Sequence, residues 1–196
     1  MIEDSRNTTQ TARDRLLHAA ATLFYSDGIA ATGIDTITHR AGVAKQSLYN
    51  NFASKADLVE AYSEARHAEW LAFYAAREAQ SHDPKEKILA VFDAYGDHAD
   101  VAYDRGFRGC GLLNAAAELT AEAAGRQAVR RHKEQVEAIL AEHLEALLPE
   151  APNRARRLAS HLAFLVEGAM ARAGLEGNSA RVAEGRAIAQ EMLERL

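Results

Sequence analysis

The residues best suited to chemistry in this 196-residue chain lie between Thr32 and Lys55, where the sequence reads TGIDTITHRAGVAKQSLYNNFASK. From Thr36 to Ala56 there is no aspartate or glutamate, although the whole chain carries a formal net charge of -5. Cations without acids suit a polyanion: lysine and arginine displace counterions from phosphates, and amides and hydroxyls bond to phosphate oxygens or base edges. Lys45, Gln46, Ser47, Tyr49 and Asn50 are the residues of this kind that stand together. Lysine can donate to guanine O6 and N7, and glutamine can pair with adenine through both ends of its amide. Ser47 and Asn50 suit a base or a phosphate. Tyr49 suits a phosphate through its hydroxyl, with its ring beside Phe52. This chemistry is recognition of DNA, not bond-breaking.

Such side chains must be held at a fixed angle, and the surrounding residues supply the means. A short amphipathic helix spans Asp35 to Ala41, Gly42 permits a tight turn, and a second short helix opens at about Ala44. Leu48 and Phe52 are the inward anchors of the second helix, and Ile34, Ile37 and Ala41 those of the first. The pattern predicts a helix-turn-helix with a polar, basic outer face. An earlier helix is predicted from about Thr11 to Ser26. Thr11 with Asp14 makes a capping box, Leu16, Ala20, Leu23 and Phe24 share one face, and Gly28 ends it. The pI of about 5.9 is a whole-chain average and leaves room for one local cationic patch.

Alanine is abundant and only 3 prolines occur, which favours helix throughout. A long helix is predicted from the Ser54 and Asp57 cap to about Ala79. The next starts at Asp83-Pro84 with Glu86 and shows Ile88, Phe92, Tyr95, Ala99 and Ala102 on one face. Gly106, Gly109 and Gly111 loosen the chain before a helix from Leu112 to about Leu119. Three more follow, over about Ala123–Leu148, Pro152–Ala173 and Ser179–Leu196. The fold class is therefore all-α with about nine helices. The expected boundary separates residues 1–53, a DNA-binding head, from residues 54–196, a helical body. No apolar run approaches the ~20 residues of a membrane span, and MIEDSRNTTQ lacks a signal-peptide core, which predicts a cytoplasmic protein.

Taken together, Thr11-Ala12-Arg13-Asp14, Leu16-Leu17, Phe24, Gly28, Ala31-Thr32, Ile37, Ala41-Gly42-Val43, Lys45, Leu48-Tyr49, Phe52, Ser54-Lys55 and Leu58 resemble the DNA-binding domain of TetR-family transcriptional regulators. The Arg108-Gly109-Cys110-Gly111-Leu112-Leu113-Asn114 run and Ala117-Glu118-Leu119 resemble a segment of some members. The resemblance implies a homodimer whose helical bodies hold a small-molecule effector, and whose heads leave a palindromic operator when the effector binds, most often as a repressor. It implies phosphate contacts from Thr32 and Lys55 on either side of the helix-turn-helix. Ala44 stands where many relatives have serine, and Gln46 and Asn50 where glycine and histidine are frequent.

The body's aromatics concentrate between residues 70 and 107. Trp70, Phe92, Tyr95, Tyr103 and Phe107 are offered as the apolar lining of an effector pocket, with Cys110, Asn114 and Glu118 beside them. Aromatics at helical spacing equally suit a plain core. Asp93, Asp97, Asp100 and Asp104 form an acidic stripe best read as a solvated flank. On the last two helices Leu158, Leu162, Leu165 and Ala169, and then Val182, Ala189 and Met192, form apolar faces that predict a four-helix dimer interface. The 8 histidines form no HxxxH or HxxH pair and no CxxC occurs, so no metal is expected. No nucleophile elbow or phosphate loop appears either, which predicts neither an enzyme nor a bound cofactor.

Overall fold

The computed structural model describes residues 10–100 and 104–196. Among them every regular element is a helix: α1 (Ala12–Asp27), α2 (Ile34–Ala41), α3 (Lys45–Asn51), α4 (Lys55–Glu78), α5 (Pro84–Ala99), α6 (Gly111–Ala117), α7 (Ala124–Leu147), α8 (Pro152–Glu176) and α9 (Ala180–Glu194). No helix is long and apolar enough to cross a membrane.

The starts form where side chains can satisfy free backbone N–H groups. Thr11 accepts from the Asp14 N–H at 3.1 Å while Asp14 accepts from the Thr11 N–H at 3.2 Å. Ser54 caps Asp57 and Asp83 caps Glu86 in the same way. Gly42 ends α2 at φ 62, a left-handed conformation that glycine adopts without a Cβ penalty, and so aims α3 across α1 and α2.

Two cores result. The first joins Leu16, Leu23 and Phe24 of α1 with Ile37, Leu48 and Phe52, and it also takes Leu58, Val59 and Tyr62 from α4 and Ala115 from α6. The second, in the body, gathers Trp70, Phe92, Tyr95, Leu140, Leu162, Val166, Met170, Val182 and Ala189. Helix α4 thus belongs to both.

Gly109 and Gly174 meet backbone to backbone where the loop before α6 crosses α8. A Cβ on Gly174 would lie 2.6 Å from the Gly109 Cα, so only glycine admits this crossing. The helix runs on through Gly174 to Glu176, three residues beyond the predicted end at Ala173, and stops at the left-handed Gly177.

The body core also encloses polar groups. His132, 1% exposed, meets His67 through their Nδ1 atoms at 2.8 Å and the Tyr95 hydroxyl at 3.3 Å. The first contact requires one imidazole to donate and the other to accept. Burial, aided by the Lys133 charge, pulls His132 down to about 3, and burial with Arg66 and Lys133 pulls His98 down to about 4. In the unfolded chain both would titrate near ~6.5. Below that pH the unfolded state binds more protons than the native one, so their stabilising effect is full above pH ~6.5 and is lost on acidification. The melting temperature is therefore expected to be flat from pH 8 to 7 and to fall between pH 6.5 and 4. Each histidine contributes at most ~1.4 kcal/mol per pH unit. A melting temperature unchanged at pH 5 would show that the histidines are not buried in this way.

Candidate nucleic-acid interface

Helix α3 is only seven residues long, so its position depends on its anchors. Leu48 is fully buried and Phe52 is 5% exposed, and the Arg13 guanidinium covers the Phe52 ring at 5.2 Å. These contacts turn Lys45, Gln46, Tyr49 and Asn50 outward, and Ser47 lies half-buried beside them. Tyr49 is 47% exposed. Ala44 offers no side-chain cap, which leaves the first N–H groups of α3 without one. The outer face is already loosely ordered: Gln46 donates to Asn50 at 3.1 Å, Asn51 donates to the Ser47 carbonyl at 2.7 Å, and Lys45 pairs with Asp35 at 2.9 Å. Both partners of the Lys45–Asp35 pair are exposed, so the pair yields readily to a phosphate or a base.

The two flanking residues behave differently. Thr32 is 2% exposed and its hydroxyl donates to the Gly28 carbonyl at 2.6 Å. Its side chain secures the turn between α1 and α2, and the expected phosphate contact through it is corrected to a structural role. Lys55 donates to the Ile29 carbonyl at 2.5 Å and clasps the same turn. Arg40, another cation of this region, is held by Asp104 at 2.8 Å.

The body grips this turn as well. Glu118, at the end of α6, accepts from the Ile29 N–H at 3.0 Å and the Ala30 N–H at 2.7 Å. Its expected place beside an effector is corrected: the carboxylate reaches into the head. Arg108 donates to the Tyr25 and Ser26 carbonyls at the end of α1, and the Tyr25 hydroxyl donates to the Gly109 carbonyl at 3.2 Å. Glu118→Ala is expected to speed amide exchange of Ile29 and Ala30 by about tenfold, because a hydrogen bond to a charged acceptor is worth ~1.5–3 kcal/mol and this one is partly exposed. Glu118→Gln should lie between the two. Exchange unchanged by Glu118→Ala would remove the clamp.

The remaining expected site residues are placed as follows. Trp70, Phe92, Tyr95, Phe107 and Cys110 are all buried in the body core, with Trp70 stacked on Tyr74 at 5.7 Å. They fill the space they were expected to line. Tyr103 lies outside the described residues. Asn114 donates to the Arg108 carbonyl at 3.0 Å and shapes the loop. In the acidic stripe, Asp93 pairs with Arg186, Asp97 with Arg77 and Asp104 with Arg40.

On the last two helices Leu162, Val182 and Ala189 are buried within the chain's own core and are corrected to core residues. Leu158, Leu165, Ala169 and Met192 are half-buried. The outward apolar residues are Phe164 at 68% exposure, Leu175 at 84% and Ile188 at 43%, which the sequence reading passed over. Phe164, Gly168 and Ile188 border one open groove with Leu165 and Ala169. The four-residue step from Phe164 to Gly168 was the available signal.

Comparison with known proteins bears on this architecture. The model for the N-terminal domain of the bacterial regulatory proteins of the tetR family matches residues 16–62, which cover α1 to the first third of α4. A TetR-family transcriptional regulator from Streptomyces coelicolor is 33% identical, with 94% of each chain covered and a TM-score of 0.80. This chain belongs to the TetR family. A second TetR-type structure, from Streptomyces avermitilis, is 29% identical over 92% of this chain and 98% of that one, with a TM-score of 0.70. Two curated regulators from Mycolicibacterium smegmatis match through the head. An HTH-type transcriptional repressor is 40% identical over 60 residues, which are 31% of this chain and 29% of that one. An HTH-type transcriptional activator is 37% identical over 87 residues, or 43% of this chain and 39% of that one. The matched parts span well under half the length of these relatives. As a TetR-family member the chain is a DNA-binding transcriptional regulator, and α2–Gly42–α3 is its helix-turn-helix.

Proposed function

We propose that the chain is a cytoplasmic, homodimeric, ligand-responsive repressor that binds a palindromic operator through α3 of each protomer and leaves it when a small molecule binds. The observation that carries this reading is the outward face of α3, with Lys45, Gln46, Tyr49 and Asn50 exposed over a core sealed by Leu48 and Phe52. Phe164, Leu175 and Ile188 support the dimer, since apolar residues this exposed on neighbouring helices suit burial against a second copy. A twofold dimer reads half-sites one helical turn apart or a multiple of it. The repressor assignment draws on the Mycolicibacterium smegmatis repressor matched through the head.

Lys45→Ala is the direct test of the DNA face. It is expected to weaken operator binding about tenfold in a gel shift, since a good contact to a base is worth ~1–3 kcal/mol. If the ammonium meets a phosphate instead, the slope of log affinity against log salt falls by about one per half-site. The melting temperature should not change, because the Lys45–Asp35 pair is exposed. Normal affinity and salt slope in this variant would exclude Lys45 from the interface.

A further inference from the structure

A cavity of about 300 Å3 lies between the head and the body. This is the lower end of the size range of small-molecule sites. His18, Thr22 and Tyr25 of α1 line one side, and Tyr62, Arg66 and Glu69 of α4 line the other. None of the described residues that the sequence offered as effector contacts takes part in it.

Its polar groups are incompletely partnered. Tyr62 is 1% exposed, yet its hydroxyl makes no hydrogen bond among the described residues. The Arg66 Nε–H is buried without an acceptor. Glu69 Oε2 lies 2.8 Å from Arg66 Nη1 but outside hydrogen-bonding geometry, so this ion pair does not satisfy the guanidinium. Buried donors are ordinarily paired, and Tyr62 and Arg66 both border the cavity, where a guest could supply an acceptor to the hydroxyl and the guanidinium. The charges of the lining already balance, with Arg40 and Arg66 against Asp104 and Glu69. A charged guest would upset that balance at a desolvation cost, whereas a neutral acceptor would not. Ala21 and the Tyr25 and Tyr62 rings provide apolar surface for the rest of the guest.

We propose that this cavity is the effector site, and that it takes a small neutral molecule carrying a ketone, ester or amide carbonyl on an apolar body, the carbonyl oxygen accepting from Tyr62 and Arg66. The proposal rests on the ligand-responsive reading above only for its effect on DNA. Because α1 supplies one wall and α4 the other, an occupant has different affinities for different head positions. That difference is what a ligand needs to shift a conformational equilibrium.

The probes are three ketones of different shape, 4-phenyl-2-butanone, 2-octanone and menthone. They are compared with 3-phenylpropanoate, 3-phenylpropylamine and butylbenzene. The single tryptophan, Trp70, directly follows Glu69 and reports binding by its fluorescence. At least one ketone is expected to bind saturably, with the acid, amine and hydrocarbon about tenfold weaker, the ratio lost with one good hydrogen bond. Tyr62→Phe and Arg66→Gln should each weaken the ketone about fivefold to tenfold and leave butylbenzene unchanged, which a merely structural role would not do. Ala21→Phe or Thr22→Met fills the volume and should abolish binding. The site is overturned if no ketone binds, if the acid or amine binds as well as the ketone, or if ketone binding survives both Tyr62→Phe and a filling variant. A ketone that binds as described yet leaves operator affinity unchanged overturns the ligand-responsive reading and keeps the site. A molecule that releases DNA equally from the natural chain and the filled variants does the reverse.

Discussion

Leu48→Asp is expected to abolish operator binding, and to do so by melting the head. Leu48 is fully buried in an apolar cluster with Leu16, Ile37, Phe52 and Leu58. The substitution forfeits ~1.5–3 kcal/mol of leucine burial and adds an unpaired acid in an apolar site, for a total of about 5 kcal/mol. A core shared by about fifty residues holds little more than that in reserve. The far-UV signal should show the head helices already lost at 25 °C while a separate body transition persists. Leu48→Met, which keeps the volume, should cost less than ~1.5 kcal/mol and retain binding. A Leu48→Asp chain that melts normally yet fails to bind DNA would mean that residue 48 faces the groove.

If the proposed dimer forms through this face, Phe164→Glu is expected to convert it into monomers and, through that, to lose operator affinity without touching α3. At a twofold interface each change counts twice. Burying one phenylalanine contributes ~1.5–3 kcal/mol, so two lost copies weaken the dimer by roughly a hundredfold to ten-thousandfold, and facing carboxylates add to this. Sedimentation at micromolar concentration should show a single monomer boundary, with helix content unchanged because Phe164 is 68% exposed in the single chain. A variant that remains dimeric would place the interface elsewhere. The contrast with Lys45→Ala is useful: one variant loses DNA by losing its partner, the other keeps its partner and loses contacts.

Much of the fold was legible in the sequence because helix starts are local events. Thr11, Ser54 and Asp83 cap where their spacing to Asp14, Asp57 and Glu86 places them. The inward anchors Ile37, Leu48 and Phe52 followed from periodicity in the same way. Partner choice was not legible. Leu162, Val182 and Ala189 do form apolar faces, but α8 packs on α7 and α9, and α9 on α5 and α8, inside the chain, and periodicity cannot say what covers a face. The same limit turned Trp70, Phe92 and Tyr95 from pocket lining into core. Thr32 was read as phosphate-facing from the family resemblance and Glu118 as effector-facing because it is polar, whereas each had a nearby backbone group to satisfy. The junction cavity had no signature at all, since its walls come from α1 and α4, and each residue looks ordinary on its own helix.

The sharing of α4 between two cores limits how this protein can be recombined. An exchange of heads between relatives cut at residue 53 would leave Leu58, Val59 and Tyr62 behind, along with the Glu118 carboxylate that holds the amides of Ile29 and Ala30. A working graft has to carry the chain through Tyr62 and also match the surface at residues 108–118 of its new host. Descendants of this chain can therefore change their operator by substitution on α3 more readily than by acquiring a foreign head.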